Sequence, residues 1–280
     1  MTAVTGQPLA LPLERLKAEV SRHRRVVVAF SGGADSSLLA YVANHTLGPD
    51  QVLCVTASSP SLPREELAKT RALAEEWSLR HLVLETHELD DAEYVRNDLD
   101  RCYHCKRELM DVLETPARAE SAVIALGVNV DDLSEHRPGQ RAAKERGAVF
   151  PLVDAEFTKG EVRELSRRLG LRTWDKPAAA CLASRIPHGT PVTIAALGRV
   201  EIAESSLHAL GFAQVRVRHY GDAARIELGL DELDAALARR EDVVAAVRGA
   251  GYRYVTLDLE GFRSGNLSRA SISAARTPGS

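Results

Sequence analysis

Aromatic residues make up only 5% of this 280-residue chain, and cysteine occurs four times. No stretch approaches the ~20 consecutive apolar residues of a membrane span, which excludes a membrane-spanning helix. The N-terminal stretch "MTAVTGQPLALPLERLKAEV" lacks the basic start and apolar core of a secretory signal. The expected location is therefore the cytoplasm, where the four thiols stay reduced and open to metal binding or catalysis. Positive charge is not in excess either: 36 basic residues face 39 acidic ones, for a net charge of −3. A nucleic-acid partner usually leaves a basic footprint interleaved with aromatics, and none is visible. Internal repeats are absent as well.

The apolar fraction of 45% supplies a normal globular core. "VVVAF", "VLCVTA", "HLVLET" and "AVIALG" read as buried strands, and helical patterns alternate with them. That alternation predicts an α/β fold, a mostly parallel sheet covered on both faces. "TKGEVRELSRRLGL" carries a capping box from Thr158 to Glu161 at its start. The pattern changes after "WDKPAAACLASRIPHGTPVT", whose prolines Pro177, Pro187 and Pro191 predict an irregular connection. Beyond it, a helix, two short charged strands, another helix and "YRYVTLDL" suggest a small α+β domain with antiparallel strands. The expected division is 1–186, 187–263 and a flexible tail over 264–280.

The first strand runs into Ser31-Gly32-Gly33-Ala34-Asp35-Ser36-Ser37, and a helix follows at once. Strand-to-helix turns at the carboxyl edge of a parallel sheet are where such folds bind ligands. Glycines let backbone N–H groups approach an anion, Ser31, Ser36 and Ser37 add hydroxyls, and the helix start adds its dipole. A glycine turn with a serine cap would look similar in composition.

Cys54 lies inside an apolar strand and reads as a core thiol. Cys102 and Cys105 form a C-x-x-C at the start of a predicted helix, a setting that favours thiolate. A redox dithiol, a zinc site and an iron–sulfur site all remain open from that spacing. His104, between the two cysteines, is badly placed as a zinc ligand, and a third thiolate from Cys181 would suit a cluster. Cys181 follows three alanines and could be activated by Lys176 and Arg185, or simply pack under the prolines. In "QVRVRHYGDAARIELG", a two-residue turn at Gly221-Asp222 would set Arg216 opposite Glu227 and Arg218 opposite Arg225. Opposed like charges are unfavourable unless an anion bridges them. A solvated sheet face is the plainer alternative.

"SGGADSS" resembles the S-G-G-x-D-S pyrophosphate loop of the ATP pyrophosphatase (PP-loop) superfamily. Together with "RCYHCK", "NVDDLSEHRPG", "WDKPAAACLASRIPHGT" and "RVRHYGDAARIEL", it makes the chain similar to the LarE family of pyridinium-biscarboxylate sulfurtransferases, from about Val26 to Leu259. That resemblance implies a Rossmann-like fold and adenylation of a carboxylate on a pyridinium mononucleotide by ATP with Mg²⁺. Sulfur would then be delivered at Cys181, in biosynthesis of the nickel-pincer nucleotide of lactate racemase. It assigns Ser31, Gly32, Gly33, Asp35, Ser36 and Ser37 to ATP, with Asp35 near Mg²⁺. It assigns Cys102, Cys105 and Cys181 to a [4Fe–4S] cluster, and Arg216, Arg218 and Arg185 to the substrate phosphate. Glu204 and Glu227 correspond to a divalent-metal spot, and homo-oligomers are common in the family. A single sacrificial cysteine, a PP-loop tRNA thiolation enzyme and a non-enzymatic nucleotide-sensing module are the rival readings.

Overall fold

The computed structural model describes residues 10–134, 138–177 and 180–263. Residues 135–137 of "NVDDLSEHRPG", the alanines at 178 and 179, and the expected tail from 264 lie outside them. The described chain runs α1 (Ala10–Ser21), β1 (Val26–Ala29), α2 (Ala34–Leu47), β2 (Val52–Ser58), α3 (Arg64–Glu76), β3 (His81–Glu85), α4 (Ala92–Val95), α5 (Arg101–Glu120), β4 (Val123–Leu126), α6 (Pro138–Glu145), α7 (Pro151–Asp154) and α8 (Lys159–Arg168). It continues through α9 (Ile194–Ala209), β5 (Val215–Tyr220), β6 (Ala223–Leu228), α10 (Leu233–Ala238), α11 (Arg240–Gly249) and β7 (Tyr254–Leu257). No described helix is long and apolar enough to cross a membrane.

The chain divides into two compact units. The first comprises the described residues of 10–59, 64–88 and 102–177, and holds a four-stranded parallel sheet in the order β3-β2-β1-β4. Successive strand residues alternate between faces. Val26 and Val28 therefore join one core with α2 and α8 residues such as Leu38, Leu39 and Val162. Val27 joins another with Met110 and Leu113 of α5. This is the α/β sheet with helices on both faces that the alternating pattern predicts. The capping box at Thr158 and Glu161 forms as expected.

Among the described residues the second unit is discontinuous: 60–63, 89–101 and 180–263. Its sheet runs β5-β6-β7 over a core with α9, including Val215, Val217, Ile226 and Leu207. β5 and β6 are antiparallel in the expected register, Arg216 opposite Glu227 and Arg218 opposite Arg225. The expectation of antiparallel strands fails at β7, which pairs parallel to β6. The physical reason is the crossover through α10 and α11, which returns the chain to the same end of the sheet. The break between units falls at 179–180, a few residues before the expected 186–187, and two earlier segments join the second unit.

Candidate functional site

β1 hands the chain to a loop before α2. Gly32 sits at φ +66°, and a Cβ there would lie 2.5 Å from Thr70 Oγ1. Only glycine meets both conditions without strain. Gly33 is the N-cap of α2, and no side chain caps the helix start. The first-turn N–H groups therefore keep the unsatisfied donors of any helix start. The loop carbonyls are held instead. Thr70 Oγ1 shares its one hydrogen between Glu66 O at 2.8 Å and Ser31 O at 3.2 Å, and Lys176 Nζ donates to Gly32 O at 3.0 Å. In a trans peptide the N–H points opposite its carbonyl, so anchoring Gly32 O turns the Gly33 N–H the other way. Lys176 also pairs with Glu66 at 2.8 Å. The lysine expected to activate Cys181 is thus committed to the loop.

The three serines differ. Ser36 Oγ accepts from the Ser31 N–H at 3.2 Å, donates to Gly33 O at 3.2 Å and shares a 3.0 Å hydrogen bond with Ser31 Oγ. It braces the loop. Ser37 is wholly buried, and its hydroxyl has no protein partner. Ser37 was expected to offer a hydroxyl to phosphate, and the structure places it on the buried side of α2. Gly127 lets the end of β4 meet the helix start, since a Cβ there would stand 2.6 Å from Ser36 N.

Asp35 lies in the first turn of α2. Its Oδ1 accepts from Asn129 Nδ2 at 3.0 Å, and its Oδ2 is paired with Lys159 Nζ. Asn129 is itself buried and fixed by the N–H groups of Asp131 and Asp132, at 3.0 and 3.3 Å. Lys159 opens α8, and its N–H donates to Asp131 Oδ2 at 2.8 Å. Sequence reasoning assigned no role to Asn129 or Lys159. The unused signal was the capping box, which fixes where Lys159 enters its helix. A helix start, two ammonium groups and one carboxylate are a setting for a polyphosphate with a divalent cation.

Cys102 and Cys105 stand in the first turns of α5, three residues apart and so on one face. Cys102 is exposed and Cys105 half-buried. α6 packs closely here: a Cβ at Gly139 would be 3.0 Å from Cys102 O, and Tyr103 donates to Glu145 at 2.8 Å. Cys54 is a core thiol as expected, and burial pushes its pKa up to about 12. None of the four cysteines is in a disulfide. Among the described residues, no three His, Cys, Asp or Glu side chains gather as a metal-ligand set.

Within the second unit, half-buried Cys181 begins a tight turn over Leu182–Arg185. Arg185 is buried and grips Glu204 with two bonds, Nε to Oε1 at 2.9 Å and Nη2 to Oε2 at 3.0 Å. Its Nη1 donates to Ala180 O at 2.6 Å and Cys181 O at 2.9 Å. Arg185 therefore clamps the cysteine turn, where it was expected to take the substrate phosphate. Glu204 Oε1 also accepts from the Val217 N–H at 2.9 Å.

Glu227 is 0% exposed and takes Arg218 Nη2 at 2.7 Å and Arg225 Nη2 at 3.1 Å. The anion that reconciles the opposed arginines is this internal carboxylate. Both carboxylates assigned to a divalent metal are thus paired with guanidinium groups in this structure. Arg218 further donates to Ser184 O at 3.1 Å. Arg216 differs from its neighbours. It stacks 5.2 Å over the Phe262 ring, bonds its neighbour's carbonyl, Val215 O, at 2.7 Å, and makes no ion pair among the described residues. Burial, then the positive field of Arg185 and Arg218, pulls its pKa below the usual arginine range despite Glu204 and Glu227.

A parallel sheet whose first strand enters a Ser-Gly-Gly-x-Asp-Ser loop at a helix start defines a PP-loop, ATP-pyrophosphatase-type nucleotide-binding protein. In keeping with that class, the family model described as NAD synthase matches residues 13–125. The chain is 44% identical, over 92% of its length and 97% of the relative, to an uncharacterized protein of Synechocystis sp.. It is 38% identical, over 93% of its length and 95% of the relative, to the pyridinium-3,5-bisthiocarboxylic acid mononucleotide synthase of Lactiplantibacillus plantarum. A tRNA-specific 2-thiouridylase of Rickettsia rickettsii is 24% identical over 69% of this chain and 63% of that protein. The chain belongs to the LarE family of PP-loop proteins.

Proposed function

We propose that the protein is an ATP-dependent sulfurtransferase acting on pyridinium-3,5-biscarboxylic acid mononucleotide. The observation that carries this reading is the 38% identity to the Lactiplantibacillus synthase across nearly the full length of both chains. The uncapped α2 start and its lysines support it.

In this reading a substrate carboxylate oxygen attacks the α-phosphorus of ATP. The bond from that phosphorus to the bridging oxygen breaks, and pyrophosphate leaves with the electron pair. The N–H groups of the Gly32–Ser36 loop hold the β- and γ-phosphates, and Lys159 and Lys176 offset their charge. Mg²⁺, when bound, neutralises the developing pyrophosphate, and Asp35 is the carboxylate suited to hold it. A sulfur nucleophile presented at the Cys181 turn then adds to the acyl carbon. The carbon–oxygen bond to AMP breaks, leaving a thiocarboxylate. Arg216, half-buried and in no ion pair among the described residues, suits the substrate phosphate.

For the sulfur source, Cys102 and Cys105 are soft donors at cluster-like spacing, and with Cys181 they match the donor chemistry of an iron–sulfur site. Cys102, Cys105 and Cys181 would hold a [4Fe–4S] cluster, which would supply a binding place for external sulfide. The alternative is a sacrificial Cys181 that loses the elements of H₂S and becomes dehydroalanine.

Purified protein with ATP and the pyridinium mononucleotide is expected to release AMP and pyrophosphate and form thiocarboxylate. Release with tRNA but not with the mononucleotide would overturn the reading in favour of tRNA thiolation. After anaerobic reconstitution, Cys102→Ala, Cys105→Ala and Cys181→Ala should each lose iron and visible absorbance, with Cys54→Ala unaffected. Iron-independent loss of H₂S from Cys181 in one turnover would put the sacrificial route in place of the cluster.

A further inference from the structure

The backbone around Cys181 is held from a direction that sequence reasoning did not consider. Asn97 is 0% exposed and adopts φ +59°, a left-handed conformation that asparagine tolerates. Its Nδ2 donates to Pro187 O at 2.8 Å and Thr190 O at 2.8 Å, with a longer contact to Ile186 O at 3.3 Å. Its own carbonyl accepts from the Gly189 N–H at 3.1 Å and from His188 Nδ1 at 3.2 Å. Its Oδ1 accepts from Arg101 Nη1 at 2.6 Å, and the same nitrogen donates to Ala183 O at 2.9 Å. Arg101 is also buried. Nearby, the Leu182 N–H donates to Ser61 O at 2.8 Å, and the Val192 N–H to Val95 O at 2.9 Å. All of these groups lie within the second unit.

Buried amide and guanidinium groups satisfied this fully resist movement, because breaking one bond strands a polar group away from water. Ala183 O is two residues from Cys181, and Arg185 already grips Ala180 O and Cys181 O from the other side. The turn is gripped at both ends.

We propose that Asn97 and Arg101 are positioning residues for Cys181. They touch neither ATP nor the reacting atoms. Through Ala183 and the 186–190 bend they fix the direction from which the thiol is presented. This inference rests on the sulfur-transfer reading above. On that reading they govern the second half-reaction and leave the first alone.

The test uses full-length Arg101→Met, Arg101→Lys and Asn97→Gly. Glycine accepts the left-handed backbone of Asn97, so Asn97→Gly removes the side-chain bonds without adding strain. For Arg101→Met and Asn97→Gly, pyrophosphate release should stay within about twofold of wild type. Thiocarboxylate formed per pyrophosphate should fall about tenfold or more. Arg101→Lys, which keeps one charged donor, should recover part of that loss. Independently of turnover, the rate of Cys181 alkylation by iodoacetamide, followed by peptide mass spectrometry, should change. Amide hydrogen exchange over residues 182–190 should quicken. Parallel loss of both half-reactions, or unchanged alkylation and exchange in folded variants, would overturn the proposal. If Arg101→Met does not fold, the Asn97→Gly results decide by the same criteria. If wild type releases no pyrophosphate with the mononucleotide, the functional reading fails, while alkylation and exchange still decide whether the clamp exists.

Discussion

At the phosphate loop, side chains anchor the carbonyls, and no N-cap side chain bonds the first-turn N–H groups of α2. At the cysteine turn the opposite holds: carbonyls at Ala180, Cys181, Ala183 and Ser184 are taken by arginines, and those arginines are matched by buried carboxylates or by Asn97. The first region is built to receive a charged ligand, so its electrostatics are unfinished. The second is finished internally and functions as a rigid mount. Arg216 is the exception there, a half-buried cation that lies opposite Glu227 on the neighbouring strand yet makes no ion pair among the described residues, because Glu227 is taken by Arg218 and Arg225.

The contrast can be broken most forcefully at Glu227. Glu227→Ala leaves Arg218 buried without its counter-ion and is expected to cost about 3–5 kcal/mol of stability. The cost should fall toward the lower figure because Arg225 keeps a partly exposed side chain and a contact with Asp258. Denaturant unfolding measures it. Next comes Asp35→Ala at the unfinished site. Folding should be nearly intact, while pyrophosphate release falls on the order of 10²–10³-fold, the scale of removing one pre-organised electrostatic group. Normal release by a folded variant would remove Asp35 from the mechanism. Arg216→Ala should weaken mononucleotide binding by about 1.5–3 kcal/mol, the range for a hydrogen bond to a charged group. ATP affinity should change little, and calorimetry with each ligand separates the two. The smallest effect is expected at the cap beneath Lys159. Thr158→Ala should lower stability by about 1 kcal/mol, with a modest rise in KM for ATP as Lys159 loses its fixed entry.

The sequence was informative wherever the relevant partners lie close along the chain. The loop from Ser31 to Ser37 is one local turn, and the Gly221-Asp222 turn sets the register of β5 on β6 through the two-residue period of strands. It was silent where a side chain arrives from far away. Asn129 and Lys159 reach Asp35 across 94 and 124 residues, and Arg101 reaches Ala183 across 82. Composition is also silent about burial. A serine after a glycine loop suggests a phosphate hydroxyl, yet helical rotation turns Ser37 into the core. Arginines and glutamates on alternating strand positions suggest ligand groups, yet burial obliges most of them to pair with one another. The parallel placement of β7 depends on how a crossover packs, which no local pattern encodes.

The discontinuity of the second unit bears on how this protein is made. Residues 60–63 and 89–101 leave the ribosome well before the segment from Ala180 onward exists. Asn97 and Arg101 are therefore synthesised with their carbonyl partners still to come, and the cysteine turn can close only after translation has passed Thr190. The chain's final third is consequently not a transplantable module. Expressed alone, or fused to a foreign nucleotide-binding unit, it would carry Cys181 on a bend whose fasteners had been left behind in the other gene fragment.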